Sequence, residues 1–323
     1  MKIAVVGCGA LGSFYGAKLC QAGHEVNFLL RSDYEQVRQH GVWIESAEGS
    51  FRVQPHCARV PQEIGPADLV LIGLKTTANH ALPQLLPPLI GPDTAILTLQ
   101  NGLGNEAAVA AIAGAEKTMG GVCFVCLNRT APGRIKHITH GAVVLGEYGR
   151  PSQARTHAVS QAFVGAGISC KVAENLEQAR WEKLVWNIPF NGLGVAGAAG
   201  LDAVLQGRVP AGAKLERCLT TDLLLSHPGW ESLVRELMME TIAAACAQGL
   251  DVPETAAGRQ IERTRQMGAY KASTLIDYES GRELELEGLF LEPLRRARQA
   301  GVPCPRLGAL CGVLAQLAAR SQP

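Results

Sequence analysis

Three polar residues recur every four positions inside an apolar stretch: Lys183, Asn187 and Asn191, in the run from Trp181 to Asn191. On a helix this interval puts them in one stripe, while Leu184, Val185 and Ile188 face elsewhere. An ammonium and two amides are costly to bury unless they meet partners or a ligand. The stripe therefore reads either as a solvated helix face or as the wall of a polar site. In a site, the ammonium can donate a proton to an oxygen that is gaining negative charge. The amides can hold a carboxylate or carbonyl without neutralising the lysine. Pro189 has no N–H, so the helix is expected to kink or end there.

A second set lies near the N-terminus. Gly7-Cys8-Gly9-Ala10-Leu11-Gly12 is a G-x-G-x-x-G run. Alone the pattern is weak, but it follows an apolar strand and opens a helix with Leu11, Phe14, Tyr15 and Leu19 spaced for burial, the context of a dinucleotide-binding turn. Gly7 makes the tight turn, Gly9 lets backbone approach a pyrophosphate, and Gly12 lets helix and strand pack closely. The helix N-terminus adds free N–H groups and a favourable dipole. After the second strand, where an NAD site has Asp or Glu, this chain has Arg31. A guanidinium there can hold a 2′-phosphate and select NADPH; the other reading is a solvated surface arginine. Lys75 and Asn101 follow later strands, at the carboxyl edge where open α/β sheets bind ligands, and both are assigned to the cofactor.

The elements that must position these residues change character along the chain. Strands are expected at Lys2–Val6, Glu25–Leu30, Asp68–Leu74, Thr94–Leu99 and Thr118–Cys126. Helices are expected at Ala10–Ala22, Ser32–His40, Asn105–Ile112 and Ser152–Val164. Val42–Glu45 with Phe51–Gln54, and Arg134–Thr139 with Ala142–Tyr148, read as two hairpins. This alternation means an α/β fold with an N-terminal Rossmann doubly wound sheet, over residues 1–173. From 174 to 323 the periodicity is helical, at Ala179–Phe190, Ser232–Ala247, Pro253–Met267, Glu285–Gln299 and Arg306–Arg320, giving an all-α C-terminal substrate domain. Gly200–Pro228 reads as a loop excursion.

Composition narrows the function class. With 18% charged residues and a net charge of +1, the chain has no electrostatic footprint for nucleic acid or an anionic membrane. No long apolar run is free of polar breaks and the N-terminus reads as a strand, so a cytoplasmic enzyme is expected. The lone C-x-x-C, Cys123 to Cys126, lacks the second pair a zinc site needs, and no metal is expected.

The same residues belong to a longer ordered set. It runs from Lys2-Ile3 through the glycine turn, Arg31, Leu74-Lys75, Asn101-Gly102-Leu103-Gly104, Trp181-Glu182-Lys183-Leu184 and the spaced asparagines. It continues with Ser273, Asp277, Gly281-Arg282-Glu283-Leu284-Glu285 and Arg295-Arg296-Ala297-Arg298 before Gly301-Val302-Pro303. In this set and order the chain resembles the ketopantoate reductase (2-dehydropantoate 2-reductase) family over nearly its whole length. The resemblance implies NADPH-dependent reduction of 2-dehydropantoate to pantoate, a step toward pantothenate and coenzyme A. It makes Lys183 the general acid and Glu285 the carboxylate on the substrate hydroxyl. Asn101 stands between nicotinamide and substrate, and Ser273, Asn187 and Asn191 hold the substrate's carboxylate and carbonyl end. The substrate is expected to meet residues of both halves, and a homodimer is compatible with the family. Two positions depart from the family pattern: Asn191 is followed by Gly192 rather than proline, and Phe290-Leu291 replaces an Asn-Gly pair. Both are expected near the substrate-pocket wall, which keeps open a related dehydrogenase of another 2-keto acid or, in a different class, a dinucleotide-binding sensor without turnover.

Overall fold

A computed structural model describes residues 1–320. Two compact units divide the chain, the first spanning Met1–Leu176 and the second beginning at Glu177.

The first unit holds the strands β1 (Lys2–Val6), β2 (Glu25–Leu29), β3 (Val42–Ser46), β4 (Phe51–Val53) and β5 (His56–Ala58). It continues with β6 (Leu69–Ile72), β7 (Ala95–Thr98), β8 (Thr118–Ala131), β9 (Arg134–Glu147) and β10 (Cys170–Val172). Its helices are α1 (Ala10–Gln21), α2 (Tyr34–His40), α3 (Leu82–Leu85), α4 (Asn105–Ala113) and α5 (Ala154–Gly165). One sheet runs β4-β3-β9-β8-β7-β6-β1-β2-β5, with β10 added on β9. Its parallel block, β5-β2-β1-β6-β7-β8, winds outward in both directions from β1. That is the doubly wound order, and its switch point falls between β1 and β6. Alternate residues of β1 serve opposite cores. Ile3 and Val5 pack with Phe14, Tyr15 and Phe163, whereas Ala4 and Val6 pack with Leu82, Leu86 and Val109. Burial on both faces is why these strands read as nearly unbroken apolar runs.

The second hairpin expected from sequence is a single strand. Arg134–Glu147 is one strand that pairs with β8 along its length, with register shifts, and the chain reverses earlier, at Gly133. His140 and Gly141 have turn chemistry, with φ of 65° and 144°, but they accommodate a register shift opposite Phe124 and Val125. The shift is a bulge, which bends a strand without ending it. The strands β5 and β10, three residues each, are too short to show a two-residue period.

The second unit is helical: α6 (Leu176–Ala196), α7 (Leu201–Gln206), α8 (Thr221–Ser226), α9 (Pro228–Cys246), α10 (Thr255–Arg265), α11 (Ser273–Glu279), α12 (Glu292–Gln299) and α13 (Pro305–Arg320). At its centre α9 touches α8, α10, α12 and α13, burying Leu233, Val234, Leu237 and Met238. The helix α6 does not end at Pro189 but runs on to Ala196. A proline removes one hydrogen bond, but residues 187–198 are all buried, and packing of that order outweighs the local penalty. The excursion at 200–228 is only partly loop, since it carries α7 and α8. Among the described residues no helix is long and apolar enough to cross a membrane.

Candidate active site

At the switch point three glycines bring backbone against backbone. A Cβ on Gly7 would lie 2.3 Å from the Leu74 nitrogen, and one on Gly12 would lie 2.2 Å from the Gly7 oxygen. One on Gly73 would lie 2.8 Å from the Gly12 Cα. Gly7 also has φ of +96°, so both space and conformation require glycine there. Gly9 differs, because nothing lies within 4 Å of the position its Cβ would take. It caps α1 without a side-chain cap bond, and the first turn of α1 carries no acidic residue. The amides of Ala10, Leu11 and Gly12 occupy the first turn, where α-helical N–H groups have no intrahelical acceptor. This cradle fits a dinucleotide pyrophosphate. Cys8 is half-buried, with Sγ 3.5 Å from the carbonyls of Val5 and Leu29. Burial pushes its thiol pKa well up, the direction that favours packing over reactivity.

Arg31 is exposed immediately past β2. The nearest acid in the chain, Asp33, is committed elsewhere, accepting from the Arg129 guanidinium, the Ser32 hydroxyl and the Gly133 amide. Burial pushes the Asp33 carboxyl up, but these donors and the Arg129 charge outweigh it and hold it below the usual carboxylate range. Lys75 is exposed, as N-cap of the 3-10 stretch Thr76–Ala81. Asn101 is half-buried between β7 and α4, ahead of Gly102 and Gly104, both with φ of 86°. Around it lies a polar cluster that the sequence did not single out: Thr98, Gln100, Asn79 and Asn105.

In the second unit the stripe on α6 turns inward. Asn187 and Asn191 are buried and Lys183 is half-buried. Asn191 Oδ1 accepts from Ser273 Oγ at 3.2 Å and from the Thr274 amide at 3.0 Å, and Asn191 Nδ2 lies 3.5 Å from Asn187 Oδ1. Thus Asn187, Asn191 and Ser273 are gathered into one cluster, with Lys183 one turn away from Asn187 on the same helix. Glu285 is half-buried just ahead of a π-helical turn, Glu287–Leu291, a geometry frequent at functional sites. The segment leading to Glu285 is braced where Arg282 Nε donates to Asp277 Oδ1 at 2.9 Å and the Arg282 amide donates to the Asp277 carbonyl. The neighbouring acids have other surroundings: Glu283 is exposed and Glu287 pairs with Arg295.

The two departures from the family pattern touch each other. A Cβ on Gly192 would lie 2.9 Å from Phe290 Cε1 and 2.6 Å from Leu310 Cδ2. Phe290 is fully buried, so its ring packs in the core. Its ring fills the volume that a larger residue at 192 would need. Gly192→Ala should therefore overpack the core and cost about 1–3 kcal/mol in denaturant unfolding. Adding Phe290→Leu should recover part of that loss; strictly additive effects would show that the contact carries no energy.

Cys123 and Cys126 are buried on β8, and no cluster among the described residues has the His, Cys, Asp or Glu groups for a metal ion.

The family model described as ketopantoate reductase PanE/ApbA matches residues 3–150, and the model of its C-terminal part matches residues 211–318. A 2-dehydropantoate 2-reductase of Nostoc sp. is 39% identical over 96% of this chain and 92% of its own length. A crystal structure of 2-dehydropantoate 2-reductase from Geobacter metallireducens is 43% identical with a TM-score of 0.88, covering 98% of this chain and 99% of that one. Another, from Methylococcus capsulatus, is 33% identical with a TM-score of 0.87, covering 100% and 98%.

Proposed function

Because the chain belongs to the ketopantoate reductase family, we propose that it reduces 2-dehydropantoate to pantoate with NADPH, on the way to pantothenate and coenzyme A. The observation that carries this reading is the polar cluster in which the buried amides of Asn187 and Asn191, on the same helix as Lys183, meet the exposed Ser273 hydroxyl. An apolar helix does not keep such groups inside without a polar ligand to meet or a partner to hold.

When bound, the nicotinamide supplies hydride to the keto carbon. Lys183 donates a proton to the carbonyl oxygen as charge grows there, a group both positioned and already cationic. Glu285 accepts from the substrate hydroxyl and orients it. Asn187 and Asn191 hold the carboxylate and carbonyl end through their amide N–H groups. The Ser273 proton is engaged by Asn191 Oδ1, so its binding of a carboxylate requires the hydroxyl to turn about one bond. Gly7, Cys8, Gly9, Ala10, Leu11 and Gly12 form the pyrophosphate turn, with Lys75 and Asn101 on the cofactor and Asn101 also on the substrate. The proposal includes a cytoplasmic homodimer; light scattering at monomer mass would rule out the assembly.

Arg31 is the proposed 2′-phosphate ligand. One guanidinium–phosphate interaction contributes about 1.5–3 kcal/mol, so Arg31→Ala should weaken NADPH about ten- to a hundred-fold and leave NADH little changed. Equal losses for both cofactors in a titration would remove Arg31 from that role. The reading as a whole is tested by NADPH oxidation with a panel of 2-keto acids. Ketopantoate should show the highest kcat/KM, and a clear preference for another 2-keto acid would overturn the substrate assignment.

A further inference from the structure

The polar cluster behind Asn101 is one directed chain of hydrogen bonds. Thr98 Oγ1 donates to Gln100 Oε1 at 2.9 Å, and Gln100 Nε2 donates to Asn79 Oδ1 at 2.7 Å. Asn79 Nδ2 donates to Asn105 Oδ1 at 3.1 Å, and Asn105 Nδ2 donates to the Asn101 carbonyl at 2.9 Å. Thr98, Gln100 and Asn105 are at most 2% exposed. Each amide is oriented by the one before it. Once Gln100 Oε1 holds the Thr98 proton, its Nε2 must face Asn79, and the same logic passes along to Asn101. Turning any amide over sets donor against donor or acceptor against acceptor in a buried place, where an unmet polar group is costly.

The chain links two segments at the carboxyl edge of the sheet. Asn79 sits in the 3-10 stretch capped by Lys75, after β6, while Asn101 opens the loop after β7. Gly102 and Gly104, both with left-handed φ, give that loop little stiffness of its own. The Asn105 bond fastens it, and Asn79 holds Asn105. We propose that Asn79 is a positioning residue for the nicotinamide half of the cofactor, setting Asn101 relative to the segment that begins at Lys75. This rests on the assignment of Lys75 and Asn101 to the cofactor.

Two variants break the chain differently. Asn79→Leu removes both links at similar volume. Asn79→Asp keeps the acceptor for Gln100 but turns a carboxylate oxygen on Asn105 Oδ1. With the full chain and NADPH, three quantities are read: cofactor Kd, emission of the bound nicotinamide, and kcat with ketopantoate. Kd should stay within about threefold, because the phosphates are held at Gly9 and Arg31. The nicotinamide emission should shift toward that of free NADPH, and kcat should fall about 10- to 100-fold, as displacements near 1 Å can cause. Asn79→Leu combined with Asn105→Leu should be no worse than the poorer single variant, since both cut one chain. A folded Asn79→Asp or Asn79→Leu protein with wild-type emission and wild-type kcat overturns the proposal, even if its Tm is lowered. Should the wild type bind NADPH but reduce no 2-keto acid, the functional reading fails, and the emission comparison still decides the role of Asn79.

Discussion

Lys183→Ala is expected to lower kcat by at least about 10²-fold and to leave NADPH affinity nearly unchanged. In its proposed role the ammonium acts on an oxygen that becomes anionic only as hydride arrives, so its contribution would fall mainly in the transition state. The low end of the effect is that of a positioned general acid, and loss of charge stabilisation adds to it. NADPH affinity should be preserved because the glycine turn and Arg31, the proposed cofactor residues, lie in the first unit, whereas Lys183 lies on α6. Folding should survive, because Lys183 is only half-buried and its truncation opens no large apolar cavity. Glu285→Ala should differ, raising KM as well as lowering kcat, because a carboxylate on the substrate hydroxyl also acts in the ground state. A small added amine should restore part of the Lys183→Ala activity. If well-folded Lys183→Ala, saturated with both ligands, turned over like wild type, the general acid would have to be another residue.

The largest effect on stability is expected at Glu147. Its side chain is fully buried at the end of β9 and accepts from Arg150, from Arg155 and from Thr156 at the start of α5. Glu147→Ala removes the shared acceptor of two guanidiniums and a buried hydroxyl. Breaking a buried pair costs about 3–5 kcal/mol, and the lower end applies because both arginines keep some contact with water.

The same group makes stability depend on pH. Burial pushes the Glu147 carboxyl up, but hydrogen bonds from Arg155, Thr156 and Arg150 outweigh it and hold the pKa below the ordinary glutamate range. A folded-state pKa below the unfolded one means the contribution is complete above the unfolded value, about 4.3, and is lost as pH falls through the folded value. Wild-type protein should therefore lose stability in acid, and Glu147→Gln, weaker at neutral pH, should lose less. Thermal unfolding at pH 7 and below pH 4 measures both. Equal Tm for Glu147→Ala and wild type at pH 7 would show that the cluster contributes nothing.

What could be read from sequence was whatever is decided by residues close along the chain. The turn from β1 into α1 is set by Gly7, Gly9 and Gly12 with the apolar residues on either side, and a helix period is a local pattern. The parallel strands were legible because burial on both faces leaves long apolar runs. Local chemistry misled where tertiary pairing prevailed. His140-Gly141 has the residues of a turn, but the fourteen-residue strand β9 pairs with β8 on both sides of it and absorbs it as a bulge. Pro189 carries a local stop signal, and α6 continues because everything around its second half is packed.

The support of the candidate site belonged wholly to the tertiary structure. Asn79 and Asn105 are 26 positions apart, and nothing in the stretch around either shows that one amide orients the other. Ser273 meets Asn191 across 82 positions, which turns two separate motif positions into one cluster. Gly192 and Phe290 each look, on their own, like a change in a pocket wall. Only the folded chain shows one ring filling the space left by the other residue's missing side chain. Hydrogen bonds and packing act over a few ångströms in space, and separation along the chain carries no trace of that distance.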